Sequence, residues 1–465
     1  MSVKRIGRRS IFNLLSILII AAFALAGCQA ATPTPGAAEP AQPQPTQPEP
    51  AQPEPTQPEP AMGEVKITWL NHWGDPETAA YWREVADKFE AENAGIKIEI
   101  INSSFDDLLT TFMTQYGVGN SPDVFHVKYD LLPDLTAAGA IAAPSGAVQE
   151  EIQAGWSAAG VEGLMRDGTV WGYPTEIGVR GLMYNEKLLQ EAGAELPTSP
   201  QGYTFEQYAE MARLVTEKTG VKGAGFIIQY EASLVENFTN FLWNNGGEFI
   251  NEDQTQVTFN SPEGVEVLQL WKEMIDSGAV TLHNTDDMAS ALATEAVATY
   301  IDANWWKLMF FDTYDELNGE GAAQQTFKVS GVPWTKENHS RAFVFGLVVS
   351  SQSKHPEEAW KWAQYIAAPR GEAISYMAEF LTTFWGIIPS NKFDQQHAPV
   401  LVEEPYTRAY VEILNNFGRI QPVFKGYLEI QHILAGEIEK VFQTGKDPQA
   451  ALDDAAAAAN DVLAK

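Results

Sequence analysis

The sequence predicts an α/β fold in which mainly parallel sheets are flanked by helices and the chain is divided into two lobes. Strand-like and helix-like segments alternate from Val65 onward, an order typical of parallel sheets. About 400 residues follow a short N-terminal leader and spacer, more than one hydrophobic core usually holds. The chain contains 1 cysteine, so packing without an internal disulfide must supply the stability.

The individual elements follow from hydrophobic periodicity. Strands are predicted at 65–70, 96–101 and 123–127, with helices at 75–93 and 106–116 between them. Trp82, Val85, Ala86 and Phe89 recur at helical spacing and mark the buried face of the first helix. An extended crossing is predicted between residues 171 and 185. Further amphipathic helices are expected at 205–219, 233–244, 262–277, 356–367 and 448–463.

Residues 1–27 predict a lipoprotein signal peptide. Four basic residues precede an apolar run that ends at Leu25, and this run is short for a membrane span. Leu-Ala-Gly-Cys28 then resembles the lipobox of bacterial lipoproteins, in which the signal is removed before a cysteine that becomes acylated. We therefore expect Cys28 to carry a lipid anchor that holds the chain on the outer face of the cell membrane.

Residues 28–60 predict a spacer behind that anchor. Pro, Gln, Glu, Thr and Ala make up nearly all of 32–60, and a Pro-Ala-Gln-Pro motif recurs within it. Such a composition cannot form a core and favours extended polyproline II, which reaches at most ~90–100 Å over this length. We expect a semi-rigid tether.

The charge balance restricts the possible ligands. The chain has 30 Lys and Arg against 61 Asp and Glu, a formal charge of −31 at pH 7. That field opposes nucleic acids, anionic lipid surfaces and polyanionic substrates. Neutral and cationic solutes remain possible.

Several short motifs, taken together, resemble a known family. They occur in this order: Ile67-Thr-Trp-Leu-Asn-His-Trp73, Ser121-Pro-Asp-Val-Phe125, Gly172-Tyr-Pro with Leu182-Met-Tyr-Asn-Glu-Lys-Leu-Leu189, Tyr203-Thr-Phe-Glu-Gln-Tyr208, Leu242-Trp-Asn-Asn-Gly-Gly247, Phe259-Asn-Ser-Pro-Glu-Gly264 and Lys354-His-Pro-Glu-Glu-Ala-Trp360. Behind a lipobox, this series resembles the extracellular solute-binding proteins of family 1, the sugar-type receptors of ABC importers. One departure is that the usual Gly-Lys-Ala-Ala-Met before Gly-x-Trp is replaced by Thr294-Glu-Ala-Val-Ala-Thr-Tyr300 before Asn304-Trp-Trp306.

The resemblance implies a two-lobe periplasmic-binding-protein fold of the type II kind, with the ligand held between the lobes. Placed on this chain, lobe one would comprise 61–178 plus 335–368, and lobe two 179–334 plus 369–465. The implied role is capture of a sugar, in the size range of a di- or oligosaccharide, by hinge closure. The implied partners are the transmembrane subunits of an ABC permease, and we expect a monomer.

Two loops are predicted to contact the ligand independently of the resemblance, because parallel α/β sheets bind ligands beyond the carboxyl ends of their strands. Sugars present hydroxyls to amide and charged groups and present C–H faces to aromatic rings. Both loops offer that mixture. The candidates after the first strand are Asn71, His72, Trp73 and Asp75, and those after the third strand are Lys128, Tyr129 and Asp130.

The resemblance adds candidates at the crossings between lobes. Glu176 and Arg180 flank a segment whose family equivalents line the cleft floor. Trp305 and Trp306, with Asn304 beside them, occupy a loop that faces the cleft in the family. Since adjacent side chains point in different directions, we expect one of the two to stack on the ligand and the other to pack. Trp385 precedes another crossing.

The sequence provides no catalytic or cofactor motif. The 7 histidines form no metal-spaced set, and neither a His-Glu-x-x-His nor a Gly-x-Ser-x-Gly motif occurs. We therefore expect no cofactor, no metal and no catalysis. Two alternatives stay open, namely the same receptor role for a polyamine or another small solute, and a tethered glycoside hydrolase with two carboxylates about 5–10 Å apart.

Overall fold

The computed structural model describes residues 64–105 and 107–464. The predicted signal peptide, Cys28 and the proline-rich spacer lie outside the described residues. The strands of the described part are β1 (Val65–Asn71), β2 (Ile96–Asn102), β3 (Val124–Lys128), β4 (Ile141–Ala142), β5 (Met165–Arg166), β6 (Thr169–Val170), β7 (Tyr173–Asn185), β8 (Ala224–Ile227), β9 (Val280–His283), β10 (Thr299–Ala303), β11 (Phe327–Ser330), β12 (Ser340–Ser350), β13 (Ile388–Pro389) and β14 (Gly418–Ile420).

The helices cover both faces of the sheet. They are α1 (Pro76–Glu92), α2 (Leu108–Gly117), α3 (Leu132–Ala137), α4 (Gly146–Gly155), α5 (Ala158–Gly163), α6 (Glu186–Ala192), α7 (Phe205–Thr219), α8 (Glu231–Asn244), α9 (Pro262–Asp276), α10 (Thr285–Ala293), α11 (Lys307–Asn318), α12 (Ala322–Thr326), α13 (Pro356–Ala367), α14 (Tyr376–Phe380), α15 (Lys392–His397), α16 (Pro399–Glu403), α17 (Pro405–Phe417), α18 (Tyr427–Gln443) and α19 (Pro448–Leu463). Short 3-10 turns occur at Tyr129–Leu131 and Asn304–Trp306, and a π-helical turn occurs at Leu381–Trp385.

The first three strands form the parallel sheet that the sequence predicts. β1 pairs with β2 along its whole length and with β3 at Trp69 and Leu70, parallel in both cases. The apolar face predicted for the first helix is confirmed, since Trp82, Val85 and Phe89 of α1 are buried. The carboxyl ends of β1, β2 and β3 consequently share one edge of the sheet.

Two long strands, β7 and β12, carry the sheet from one half of the molecule to the other. The order of the main sheet is β2-β1-β3-β12-β7-β10-β8-β9. β12 runs antiparallel to β3 and β7. β7 pairs with β12 as far as Val179 and with β10 from Arg180 onward. This change of partner lies next to the boundary expected between residues 178 and 179.

The segment 369–397 differs from the lobe assignment expected from the sequence. The Tyr81 hydroxyl of α1 donates to the Tyr376 carbonyl at 2.8 Å, and the Phe380 ring lies 4.7 Å from that of Trp82. β13 pairs with β7 at Ile177 and Glu176, within the half of β7 that joins β12. This segment therefore packs on lobe one, and we propose a boundary near Ala398. The sequence between α13 and α14 contains no signal that would have revealed a return to lobe one.

Each half of the molecule has its own aromatic group. In lobe one, the rings of Trp69 and Trp73 lie 4.9 and 5.6 Å from that of Trp82. In lobe two, the Trp271 ring packs between those of Phe238 and Phe241, at 6.3 and 5.3 Å. These two aromatic groups belong to one continuous hydrophobic core that runs through both halves, although a chain of this length was expected to form more than one core.

Within the described residues, no helix combines the length and the apolarity that crossing a membrane requires.

Candidate ligand-binding site

The carboxyl edge of the lobe-one sheet presents a group of rings that we call the aromatic wall, defined as His72, Phe105, Phe343 and Phe345. His72 follows β1 and Phe105 follows β2, while both other phenylalanines belong to β12. The Phe105 ring lies 5.3 Å from His72 and 6.0 Å from Phe345. Phe105 is 40% exposed, so this wall offers an accessible apolar face at the strand ends.

A second imidazole lies behind the wall. The rings of His72 and His126 stack at 5.3 Å, and His126 stacks on Phe345 at the same distance. Nε2 of the buried His126 lies 3.2 Å from Oγ1 of Thr175 and 3.4 Å from Oε2 of Glu176. Burial, together with the neighbouring His126, lowers the pKa of the His72 imidazole well below its ordinary value of 6.5. His72 is therefore a neutral hydrogen-bonding group at neutral pH.

Next to the wall lies a buried group of charges that we call the ionic cluster. It consists of three cations and three anions, namely Lys128, Arg180, Arg341, Asp130, Glu236 and Asp302. The Lys128 Nζ atom lies 2.8 Å from Asp130 Oδ2 and 2.9 Å from Glu236 Oε1. Glu236 Oε2 lies 2.5 Å from Arg180 Nη2 and 3.1 Å from Arg341 Nη1. Arg180 Nη1 also approaches Asp302 Oδ2 at 3.4 Å.

Charges within the ionic cluster stabilise the ionised forms of Glu236 and Lys128. Burial alone would raise the pKa of the Glu236 carboxyl, but Arg341, Lys128 and Arg180 outweigh it and hold that pKa well below its ordinary value. Burial opposes the charge of Lys128, but Asp130 and Glu236 raise its pKa. With three positive and three negative groups, the cluster has no net charge.

The aromatic wall and the ionic cluster adjoin each other. Nζ of Lys128 lies 5.8 Å from the centroid of the half-buried Phe343 ring, within the range of a cation–π contact. The site therefore combines an apolar ring surface with charged groups whose charges are already balanced. That combination suits a ligand with C–H faces and hydroxyls better than an ion.

The loop after β10 places the two adjacent tryptophans in different environments. Trp306 is buried against Tyr300, with ring centroids 4.6 Å apart, while Trp305 is half-buried. Nδ2 of the buried Asn304 donates to the Gly386 carbonyl at 2.6 Å, which joins this lobe-two loop to the segment that contains Trp385. Trp385 is half-buried, and its buried indole N–H has no acceptor among the residues that the structure describes. Contact of Trp305 and of Trp385 with a ligand stays a prediction.

Four of the predicted residues have clear intramolecular roles. Asn71 accepts from the backbone N–H of Trp73 at 2.9 Å, and Trp73 packs in the lobe-one core. Asp75 caps the N-terminus of α1. The hydroxyl of the buried Tyr129 accepts from Arg341 at 3.0 Å. Direct ligand contact by these four residues stays a prediction.

The structure adds residues that the sequence prediction missed. Phe105 follows β2. The rule that ligands bind beyond the carboxyl ends of strands, which selected the loops after β1 and β3, would therefore also have selected Phe105. Glu236 is an acid in the middle of α8 whose neighbours Val235 and Phe238 are buried, and a charged residue on that apolar stretch was the one signal in the sequence. The strand β12 carries Arg341, Phe343 and Phe345. No strand was predicted for this apolar run.

No group of three or more His, Cys, Asp or Glu side chains in the described part is placed to hold a metal ion.

Residues 84–400 match the family described as bacterial extracellular solute-binding protein. The chain belongs to this family. The match spans more than half of the chain and includes both long crossing strands and the ionic cluster. The family resemblance predicted from the sequence motifs is thereby confirmed.

Relatives and solved structures agree with this membership. A putative binding protein of Brucella abortus is 25% identical over 410 residues, which cover 87% of this chain and 94% of the relative. The maltodextrin-binding protein of Bacillus subtilis is 23% identical over 298 residues, 62% of this chain and 66% of the relative. An ABC substrate-binding protein of Listeria monocytogenes, solved in complex with cycloalternan, matches with a TM-score of 0.72 and 22% identity over 86% of this chain and 99% of its own. The predicted two-lobe α/β fold is confirmed.

Proposed function

We propose that this chain captures an uncharged di- or oligosaccharide between its lobes and delivers it to the transmembrane subunits of an ABC permease. The observation that carries the proposal is the aromatic wall beside an ionic cluster without net charge. The rings offer stacking faces to C–H surfaces, and half-buried His72 offers a neutral partner to a hydroxyl. The maltodextrin-binding and cycloalternan-bound relatives support the same ligand class.

The proposed mechanism is capture by hinge closure. Ligand contacts to both lobes would favour the closed form, which the permease then recognises. We propose lobe one as 61–178 plus 343–397 and lobe two as 179–342 plus 398–465, because residues 340–342 pair with β14 and Ala342 pairs with Val179. Small-angle scattering that shows no compaction with a saccharide that binds measurably would contradict closure.

Anchoring at Cys28 completes the proposal. Acylation of this cysteine on the outer face of the membrane, followed by the proline-rich spacer, would keep a monomeric receptor close to its transporter. Mass spectrometry of the membrane-extracted protein tests it, since a lipid-modified Cys28 at the N-terminus is expected. An unprocessed N-terminus would contradict anchoring and leave saccharide binding untouched.

The alternative ligand and the alternative activity fit the site less well. A polyamine needs carboxylates without counterions, whereas each carboxylate of the ionic cluster contacts a cation. A glycoside hydrolase needs a carboxyl with a raised pKa as its general acid, and the pKa of Glu236 is lowered. Burial does raise the pKa of Asp394 and that of Glu439, but Asp394 accepts from Ser375 and Glu439 lies on α18, and neither belongs to the aromatic wall or the ionic cluster.

A thermal-shift series followed by calorimetry tests the function. The probes are maltotriose, cycloalternan, a galacto-oligosaccharide and spermidine, with product analysis of each sugar after incubation. A ligand at 100 times its dissociation constant stabilises by about 2.7 kcal/mol. We expect a saccharide to stabilise the chain and to be recovered intact. Stabilisation by spermidine alone would favour the polyamine receptor, and cleaved sugar would favour the hydrolase.

Replacing Trp305 tests the contribution of lobe two to binding. For Trp305→Ala we expect at least tenfold weaker binding of the saccharide found in the screen, about 1.4 kcal/mol. Trp360→Ala is the matched control, because Trp360 is also half-buried but lies on α13 of lobe one. Equal affinities of the two variants in calorimetry would remove Trp305 from the site.

A further inference from the structure

We propose that Glu236 is a positioning residue that couples the two lobes, and that its contact with Lys128 is a breakable latch between them. The inference rests on the proposed lobe closure but concerns the chain without ligand. Glu236 lies on α8, and its carboxylate contacts cations from three separate strands: Lys128 of β3, Arg180 of β7 and Arg341 of β12.

The three cations differ in the part of the fold that holds them. Lys128 ends β3, which belongs to the lobe-one sheet. Arg180 lies in the half of β7 that pairs with β10 of lobe two. Arg341 is at the start of β12, next to β14, and the Asn240 side chain of α8 accepts from its backbone N–H at 2.9 Å. Of the three contacts, the one between Lys128 and Glu236 thus joins a lobe-one strand to a lobe-two helix.

The two carboxylate oxygens of Glu236 divide these contacts between them. Oε1 contacts Lys128, whereas Oε2 contacts both arginines. If Lys128 moves away with lobe one, Glu236 keeps both arginines, and Lys128 keeps Asp130 at 2.8 Å. Both charges thus keep a counterion. Breaking a buried ion pair is usually costly because one charge is left without a counterion, and that cost does not arise here.

The exposure of the side chains agrees with a contact that opens. The Lys128 side chain is 14% exposed, against 3% for Arg180 and 0% for Arg341. Water can therefore reach the contact between Lys128 and Glu236 more easily than the contacts of Glu236 with the two arginines. While it is intact, the pair favours the lobe arrangement in which Lys128 and Glu236 meet, and we infer that this arrangement is the binding-competent one. The apparent dissociation constant rises as the binding-competent fraction falls, so losing the pair weakens binding without removing a ligand contact.

Electron paramagnetic resonance distance measurement on the full, ligand-free chain tests the latch. Cys28→Ser removes the native thiol, and Val118→Cys of lobe one and Leu317→Cys of lobe two provide label sites that are 78% and 61% exposed. Glu236→Gln and Lys128→Met each remove the latch. Asp302→Asn is the matched control, because it removes one negative charge from the same cluster while leaving the contact between Lys128 and Glu236 in place.

We expect the mean distance between labels to shift in Glu236→Gln and Lys128→Met, and to stay unchanged in Asp302→Asn. The double variant Lys128→Met/Glu236→Gln restores the charge balance of the cluster. We expect it to regain thermal stability relative to Glu236→Gln but to keep the shifted distance. If Glu236→Gln does not fold, Lys128→Met still decides, because it leaves Glu236 with both arginines.

Identical distances in all variants would overturn the latch, and so would an equal shift in Asp302→Asn, which would indicate charge imbalance as the cause. The distances are measured without saccharide. A failure of the latch is therefore distinct from a failure of the proposed function, which would appear as no binding in the saccharide screen.

Discussion

The aromatic wall and the ionic cluster are neighbours in one site, but they differ in what they leave available to a ligand. The rings of the wall pack on each other through one face, and Phe105 keeps an exposed side. The charges of the cluster are already engaged with each other. We propose a division of roles that follows this difference, in which the wall recognises the ligand and the cluster sets the geometry between the lobes.

The largest expected effect comes from removing a charge from the cluster. Arg341→Met leaves Glu236 with one cation fewer and removes the donor to the Tyr129 hydroxyl and to Gln421. We expect the free energy of unfolding to fall by about 3–5 kcal/mol, because a buried charge loses part of its compensation. Urea denaturation measures this change.

Arg419→Met is the matched control for that experiment. Arg419 also forms an ion pair, with Glu248, but the two side chains are 29% and 52% exposed. Exposed pairs contribute about 0–1 kcal/mol. Similar losses in the two variants would show that the cluster contributes no more to stability than a surface pair.

The next effect concerns the neutral imidazole in the wall. Because the pKa of His72 in the folded chain is below its ordinary value of 6.5, the unfolded chain binds a proton that the folded chain does not. Stability is therefore lost as the pH falls below about 6.5, by up to ~1.4 kcal/mol per pH unit. In His72→Gln we expect a shallower loss between pH 6.5 and 5, measured by urea denaturation at each pH.

His432→Gln serves as the control for this pH dependence. His432 is 73% exposed and contacts Glu231 on the surface, so its removal should leave the wild-type slope largely unchanged. A His72→Gln curve parallel to the wild-type curve would show that the imidazole of His72 is protonated equally in the folded and unfolded chain.

The smallest expected effect on the fold is at Phe105. Because this ring is 40% exposed, Phe105→Ala should change the free energy of unfolding by less than about 1 kcal/mol. Loss of a stacking face should weaken saccharide binding severalfold, about 0.5–1.5 kcal/mol. Calorimetry measures the affinity, and Phe105→Tyr, which keeps the ring, should bind like the wild type. Unchanged affinity in Phe105→Ala would show that the wall does not touch the ligand.

The fold was largely predictable because its signals are local. The apolar face of α1 repeats at helical spacing, and the alternation of strands and helices from Val65 to Lys128 determines a parallel sheet. The predicted helix 205–219 matches α7 to the residue. The lobe assignment of 369–397 depends on long-range contacts such as that between Phe380 and Trp82, which have no local signature in the sequence.

The site was predictable in part. The rule that ligands bind beyond the carboxyl ends of strands selected His72, a member of the aromatic wall, and Lys128, a member of the ionic cluster. The same rule could not distinguish His72 from Trp73 and Asp75 of the same loop, although Trp73 packs in a core and Asp75 caps a helix. Glu236 was not predicted because its role arises from three cations that are 56 to 108 positions away in sequence.

The strand β7 has a consequence for how the molecule comes apart. All 13 of its residues are buried, and they belong to both halves of the sheet. Melting one lobe would deprive half of this strand of its ladder partners and thereby weaken the other lobe. Cutting the chain within β7 should accordingly yield no autonomous fragment, and the two lobes should unfold as one cooperative unit although each has its own aromatic group.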